Sequence, residues 1–137
     1  MNDHAEAEIR RLVQDQMEAW GRGDAEGYAS TASDDLAFTN IMGRRWLGRA
    51  PFVAVHQKIF TSIYAGSRLT ANIERIAFPG SNVAVAELAL HLTGAKGMPP
   101  GISADPDGTL RTRLLEVFEL RDATWTLIAC HNTAIIG

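Results

Sequence analysis

A single cysteine, Cys130, stands in a chain of 137 residues, so no disulfide can form within it. That usage fits a reducing compartment better than a stapled secreted domain. No apolar run approaches the roughly 20 residues needed to span a bilayer. The opening Met1-Asn2-Asp3-His4-Ala5-Glu6 has neither the basic start nor the apolar stretch of a secretory leader. The expectation is a cytoplasmic protein without membrane contact. Basic charge is also scarce, with 13 Lys and Arg against 16 Asp and Glu. Arg10-Arg11 and Arg44-Arg45 are isolated pairs, and no basic stripe is present to displace counterions from phosphates, so no nucleic-acid partner is expected. There is no Gly-x-Gly-x-x-Gly, no Walker loop and no Gly-x-Ser-x-Gly elbow. No cofactor is expected.

What is present is an ordinary globular composition, 46% hydrophobic and 21% charged, at the length of one domain spanning residues 1–137. Ile9, Leu12, Val13, Gln16/Met17 and Trp20 form one apolar stripe of a helix, which Gly21 and Gly23 end. Asp3 and Glu6 have capping-box spacing at its start. Asp24 reads as the N-cap of a short second helix reaching about Thr31. Leu36 to Ile41 alternates as a strand, and Arg45-Trp46-Leu47 can pair back after Gly43. A third helix starts at Arg49-Ala50-Pro51 and is expected to run to about Tyr64, with Phe52, Val55/His56, Ile59/Phe60 and Ile63 as its stripe. Four strands follow, over residues 68–78, 83–93, 109–120 and 125–135. Pro79-Gly80-Ser81-Asn82 is a turn, and the Gly- and Pro-rich stretch 94–108 a long hairpin loop.

Helices followed by hairpin-linked strands make an α+β fold with a mostly antiparallel sheet. Residues 83–93 carry apolar side chains on both faces: Val83, Val85 and Ala89 on one, Ala84, Ala86, Leu88, Leu90 and Leu92 on the other. Three helices cover one face only. The other face is expected to meet a second copy of the chain, giving a homodimer joined through the sheet.

This order of elements resembles the nuclear-transport-factor-2-like superfamily, a cystatin-like α+β cone with three N-terminal helices packed on a curved, mostly antiparallel sheet. The sequence looks most like its SnoaL-like polyketide-cyclase branch and the SgcJ/EcaC (enediyne-biosynthesis J-protein) branch. The resemblance rests on Glu18-Ala-Trp20-Gly-Arg-Gly-Asp24, Gly43-x4-Gly48-Arg49, and His56-Gln57-x2-Phe60 with Ala65-Gly-Ser-Arg-Leu69. Pro79-Gly-Ser-Asn-Val-Ala-Val85 and Trp125-x-Leu-Ile-Ala-x-His-Asn132-Thr133 complete it, over nearly the whole chain. The resemblance implies a small-molecule pocket inside the cone, for an apolar or aromatic, polyketide-like ligand, in an accessory protein of biosynthesis. It also allows a cofactor-independent isomerase, cyclase or dehydratase, or a dimerisation module whose cone is filled.

His56 lies in the stripe of the third helix and can serve as a proton shuttle, or as a structural His bonded to backbone or to a carboxylate. In related isomerases and cyclases a carboxylate near the end of the first strand acts as base; here Asn40 stands there. Asn cannot take a proton; it orients a ligand or shapes the turn before Gly43. The resemblance makes Asn132 a pocket residue, and strict alternation would then place Thr126, Ile128, Cys130 and Ala134 beside it. Glu116 on the neighbouring strand is a candidate catalytic acid, or a partner for Arg113 of another chain. Trp20, Tyr28, Phe38, Trp46, Phe60 and Tyr64 are candidate lining residues or core. Glu87 and His91 share a strand face, with His131 as a possible third ligand, but two ligands are not a site and no metal is expected. Cys130 reads as an inert core thiol.

Overall fold

The computed structural model describes residues 2–136. Helix α1 (Asn2–Arg22) buries Ile9, Leu12, Val13, Gln16 and Met17, the face the periodicity marked. Asp3 lies inside its first turn, and Gly21 is still helical; the chain leaves the helix at Gly23, in the left-handed region at φ 67°. Asp24 then caps α2 (Ala25–Tyr28), its carboxylate accepting from the Gly27 N–H at 2.9 Å. This helix ends three residues short of the expected Thr31, and β1 (Ala32–Thr39) begins four residues before Leu36. In β1, Ala32 and Ser33 are both buried while Asp34 and Asp35 are both exposed. An irregular register against β6 breaks the alternation there, which hid the start of the strand.

Strand β2 (Arg45–Leu47) pairs back on β1. Helix α3 (Arg49–Ile59) stops five residues before Tyr64. Beyond it, the hydroxyls of Thr61 and Ser62 bond back to the carbonyls of Lys58 at 3.1 Å and Ile59 at 2.7 Å. The backbone closes tight turns over the same residues, Ser62 N–H donating to the Ile59 carbonyl at 3.1 Å. Side chains competing for carbonyls end the helix where the apolar spacing alone would continue it.

Strands β3 (Arg68–Gly80), β4 (Val83–Thr93), β5 (Leu110–Arg121) and β6 (Thr124–Ala134) are joined by hairpins. The sheet runs β2-β1-β6-β5-β4-β3, antiparallel except where β1 lies parallel to β6. Its inner face carries the core: Ala84, Ala86, Leu88, Leu90 and Leu92 are all buried under the helices. On the outer face of β4, Val83, Val85, Glu87 and Ala89 are half-buried and His91 is exposed.

One irregularity re-aims the last strand. Val117 faces Ala129 but Phe118 faces Leu127, so Ile128 is an extra residue. Trp125 and Leu127 point inward below this bulge, and Cys130 and Asn132 point inward above it. Thr126 and Ile128, expected on the inner face by strict alternation, therefore do not line the cone. A bulge of one residue reverses the facing of everything beyond it. Among the described residues, no helix is long and apolar enough to cross a membrane.

Candidate functional site

Between the helices and the inner face of the sheet lies an open cavity of about 370 Å³. That is the small end of the range for ligand pockets. Its depth is formed by buried side chains, among them Tyr28, Phe38, His56, Thr112, Leu114 and Cys130. Its mouth is formed by three chain segments: the β1–β2 hairpin with Ile41 and Met42, the turns after α3 with Ser62 and Ile63, and the long loop with Pro99 and Pro100. Met42, Ser62 and Pro100 are exposed, which marks the opening. Among the described residues, none of those lining the cavity is Asp, Glu, Lys or Arg.

His56 is held tightly. Its Nδ1 lies 2.8 Å from the carbonyl oxygen of Phe52, one turn back along α3. A carbonyl only accepts, so Nδ1 carries the proton, and the neutral ring leaves its lone pair on Nε2. Rings of Trp20, Tyr28, Phe38, Phe52 and Phe60 surround it at centroid distances of 4.4 to 6.3 Å. Burial in this aromatic shell pushes the imidazole pKa from 6.5 down to about 4, against a small opposite pull from the Phe52 carbonyl. At neutral pH the cavity therefore presents an uncharged acceptor. Tyr28 stays a phenol, because burial raises its pKa well above 10.

The other candidates divide. Trp20, Tyr28, Phe38, Asn40, Tyr64 and Asn132 line the cavity with His56. Trp20 is anchored by its indole N–H donating to the Ser67 hydroxyl at 2.9 Å. Asn40 also shapes its turn, its Oδ1 accepting from the N–H groups of Met42 at 2.9 Å and Arg44 at 3.0 Å. Trp46, Phe60 and Glu116 are not among the lining residues. Trp46 stacks behind Phe38 at 5.7 Å, and Phe60 packs edge-on against Trp20 at 4.9 Å.

Glu116 lies beneath the floor. It is 2% exposed, opposite Cys130 across the β5–β6 ladder, and accepts from the Gln16 amide of α1 at 3.0 Å. Burial raises its pKa from 4.5 to about 7, with the Gln16 hydrogen bond opposing. Its Oε1 and the Oε1 of Gln16 both lack a partner. Arg113 points to the other face of β5 and pairs with Glu74 of β3, so it is not available to Glu116. Glu87 pairs with Arg75 at 2.8 Å on the outer face. Among the described residues, no group of three or more His, Cys, Asp or Glu is placed to hold a metal.

Sequence reasoning missed Thr112, Leu90, Leu92 and Leu110, and the mouth residues Met42, Pro99 and Pro100. The inner-face alternation of β4 carried a signal for the leucines. Nothing local marked the loop residues, which reach the cavity only through the tertiary fold.

A cone of helices on a curved sheet, with a cavity between them, is the context for the comparisons. The SnoaL-like domain model matches residues 13–128. The chain belongs to the SnoaL-like domain family. A comparison with curated proteins returns no match. Among solved structures, the chain is similar to a domain of unknown function with a cystatin-like fold from Nostoc punctiforme PCC 73102, with TM-score 0.85 and 23% identity, covering 100% of this chain and 81% of that one. It is also similar to a candidate scytalone dehydratase from Novosphingobium aromaticivorans DSM 12444, with TM-score 0.81 and 16% identity over 98% of this chain and 87% of that one. A candidate calcium/calmodulin-dependent protein kinase II association domain from Xanthomonas campestris superposes with TM-score 0.71 at 17% identity, over 93% and 86% of the two chains. At such identities the shared property is the cystatin-like α+β fold.

Proposed function

We propose that this SnoaL-like chain binds a small, largely apolar, aromatic-sized molecule in its cone. The observation that carries the reading is the open, apolar-walled cavity of about 370 Å³ with a neutral His56 acceptor in its wall. Apolar walls supply affinity through burial, and two unpaired acceptors in the wall, His56 Nε2 and the buried Asn132 Oδ1, select orientation. A ligand hydroxyl or N–H meeting Nε2 satisfies an atom that the described residues leave without a partner.

A catalytic form of this reading, an isomerase, cyclase or dehydratase, would use His56 as base. The burial that holds its pKa near 4 makes it a weak base and favours binding over proton abstraction. We further infer a homodimer through the outer sheet face, because Val85, Ala89, Val117 and Ala129 are only half-buried and Leu115 is 42% exposed there.

Titration with 1-naphthol, followed by tryptophan fluorescence, tests the pocket. One saturable site per chain is expected, with a signal much reduced in Trp20→Phe, since Trp20 lines the cavity. Naphthalene, which lacks the hydroxyl, should bind more weakly. Absence of saturable binding by either compound, with no co-purified small molecule in native mass spectrometry, would refute the reading.

A further inference from the structure

Glu116 stands outside the cavity wall, yet it is a fully buried carboxyl, and among the described residues no cation pairs with it. The side chains around it are Gln16 from α1, Ala86 from β4, Cys130 from β6 and Tyr28 from α2. None of them is charged at neutral pH. The charged groups of the same elements are engaged elsewhere. On α1, Asp15 accepts from Arg11 at 3.0 Å and Glu18 from Gln14 at 3.1 Å, both on the exposed side. On α2, Glu26 pairs with Arg49 at 3.1 Å. Glu87 of β4, Arg113 of β5 and His131 of β6 lie on the outer sheet face. His56 of α3, whose ring is 4.7 Å from that of Tyr28, is neutral.

The oxygen atoms of this cluster call for a proton. The Gln16 amide donates to Glu116 Oε2 at 3.0 Å, which leaves the Oε1 of each side chain buried and without a donor. A carboxylate only accepts, whereas the acid carries an O–H of its own. The neutral acid therefore suits this packing and the anion does not. The cavity begins one layer of side chains away. Cys130, opposite Glu116 in the ladder, and Tyr28 both line it. Charge on Glu116 reaches both, for it opposes ionisation of the phenol and of the thiol. The cavity is open, so solvent above this layer lessens the cost of a charge beneath it. An apolar occupant removes that solvent.

We propose that filling the cone is linked to a proton on Glu116: the carboxylate takes up a proton from solvent as an apolar ligand enters, and returns it as the ligand leaves. The inference rests on the pocket reading above and adds its regulation by pH. The filled cone disfavours the anion more than the empty one does, so Glu116 titrates at higher pH when the ligand is bound. Where both forms are protonated, affinity does not depend on pH. It falls as pH rises through about 7, where the empty form loses its proton first. It levels off once the filled form has ionised too. His56, held near 4, and Tyr28 and Cys130, both pushed well upward by burial, keep their charge through this interval.

N-Phenyl-1-naphthylamine tests the linkage, because it is apolar, fluorescent and carries no group that titrates near neutral pH. Its affinity, titrated from about pH 6 to about pH 8.5, should be constant at first and then weaken by roughly three- to tenfold, the counterpart of a rise of about half to one pKa unit on binding. Calorimetry at about pH 7.5 in two buffers of different ionisation enthalpy should show uptake of a fraction of a proton per site. In Glu116→Gln both the slope and the uptake should vanish, whereas a slope set by any other group survives that change. The calorimetry on the parent protein decides the matter even if the variant fails to fold. Equal affinity across the range without proton uptake, or a slope that persists in the variant, overturns the linkage and leaves the pocket standing. Failure of the probe to bind at every pH overturns both.

Discussion

Replacing Glu116 with glutamine should stabilise this protein above neutral pH, although it alters a fully buried core residue. The carboxyl pKa stands at about 7 in the fold against an ordinary 4.5, because burial penalises the charge. Below pH 4.5 the group is protonated in both folded and unfolded chains. Between 4.5 and about 7 the folded chain binds more protons than the unfolded one, so stability falls as pH rises. At 1.36 kcal/mol per pH unit, the loss is roughly 3 kcal/mol once the pH is above 7. Glutamine removes that loss. Its amide N–H also offers a donor to the unpartnered Gln16 Oε1, while its carbonyl keeps the hydrogen bond from Gln16.

His56 masks this effect in the parent protein. Its pKa is depressed to about 4 from 6.5, so its contribution is present above 6.5 and is lost as pH falls towards 4. The two slopes oppose each other through the same window, and parent stability should be nearly flat from about pH 4.5 to 6.5. Glu116→Gln unmasks the histidine, and the variant should gain stability with rising pH there. Urea unfolding at several pH values from about 5 to about 8, analysed as the variant-minus-parent difference, isolates Glu116 from all other groups. A difference that grows with pH by roughly 2 to 3 kcal/mol supports the reasoning. A variant less stable than the parent at about pH 8 refutes it.

His56→Leu keeps similar bulk but removes the acceptor; it should weaken 1-naphthol binding about tenfold, one net hydrogen bond, while changing naphthalene binding little, as read by fluorescence titration. Asp24→Ala removes the cap on the Gly27 N–H and should cost about 1 kcal/mol in urea unfolding. Gly48→Ala places a Cβ 3.2 Å from the Asp34 carbonyl oxygen at φ 102°, and should lower stability by roughly 1–3 kcal/mol in the same assay. Leu115→Glu puts a charge in the half-buried outer sheet face and should shift sedimentation from dimer to monomer. A parent protein that sediments as a monomer at micromolar concentration would remove the homodimer.

Much of the scaffold was legible because it follows from local periodicity. The α1 stripe, the Asp24 cap, the Pro51 helix start and the alternation of β4 each place their element without reference to the rest of the chain. Boundaries failed where local chemistry competed with periodicity, as at Thr61 and Ser62, whose hydroxyls take the carbonyls that would have continued α3. Facing failed where a single extra residue entered a ladder. Ile128 in β6 is such a residue, and nothing in Leu127-Ile128-Ala129 announces it, because the bulge is a relation between β6 and β5.

By itself, then, the sequence determined the order of elements, the apolar faces and the list of polar residues able to do chemistry, since those depend on spacing along one chain. Only the tertiary structure decided which of them share the cavity. It moved Glu116 below the floor onto Gln16, left Trp46 behind Phe38, and put Asn132 and His56 in the wall of one cavity. It also decided their protonation. A histidine near 4 and a glutamate near 7 have reversed their ordinary order because burial penalises each charge, and burial belongs to the packed fold.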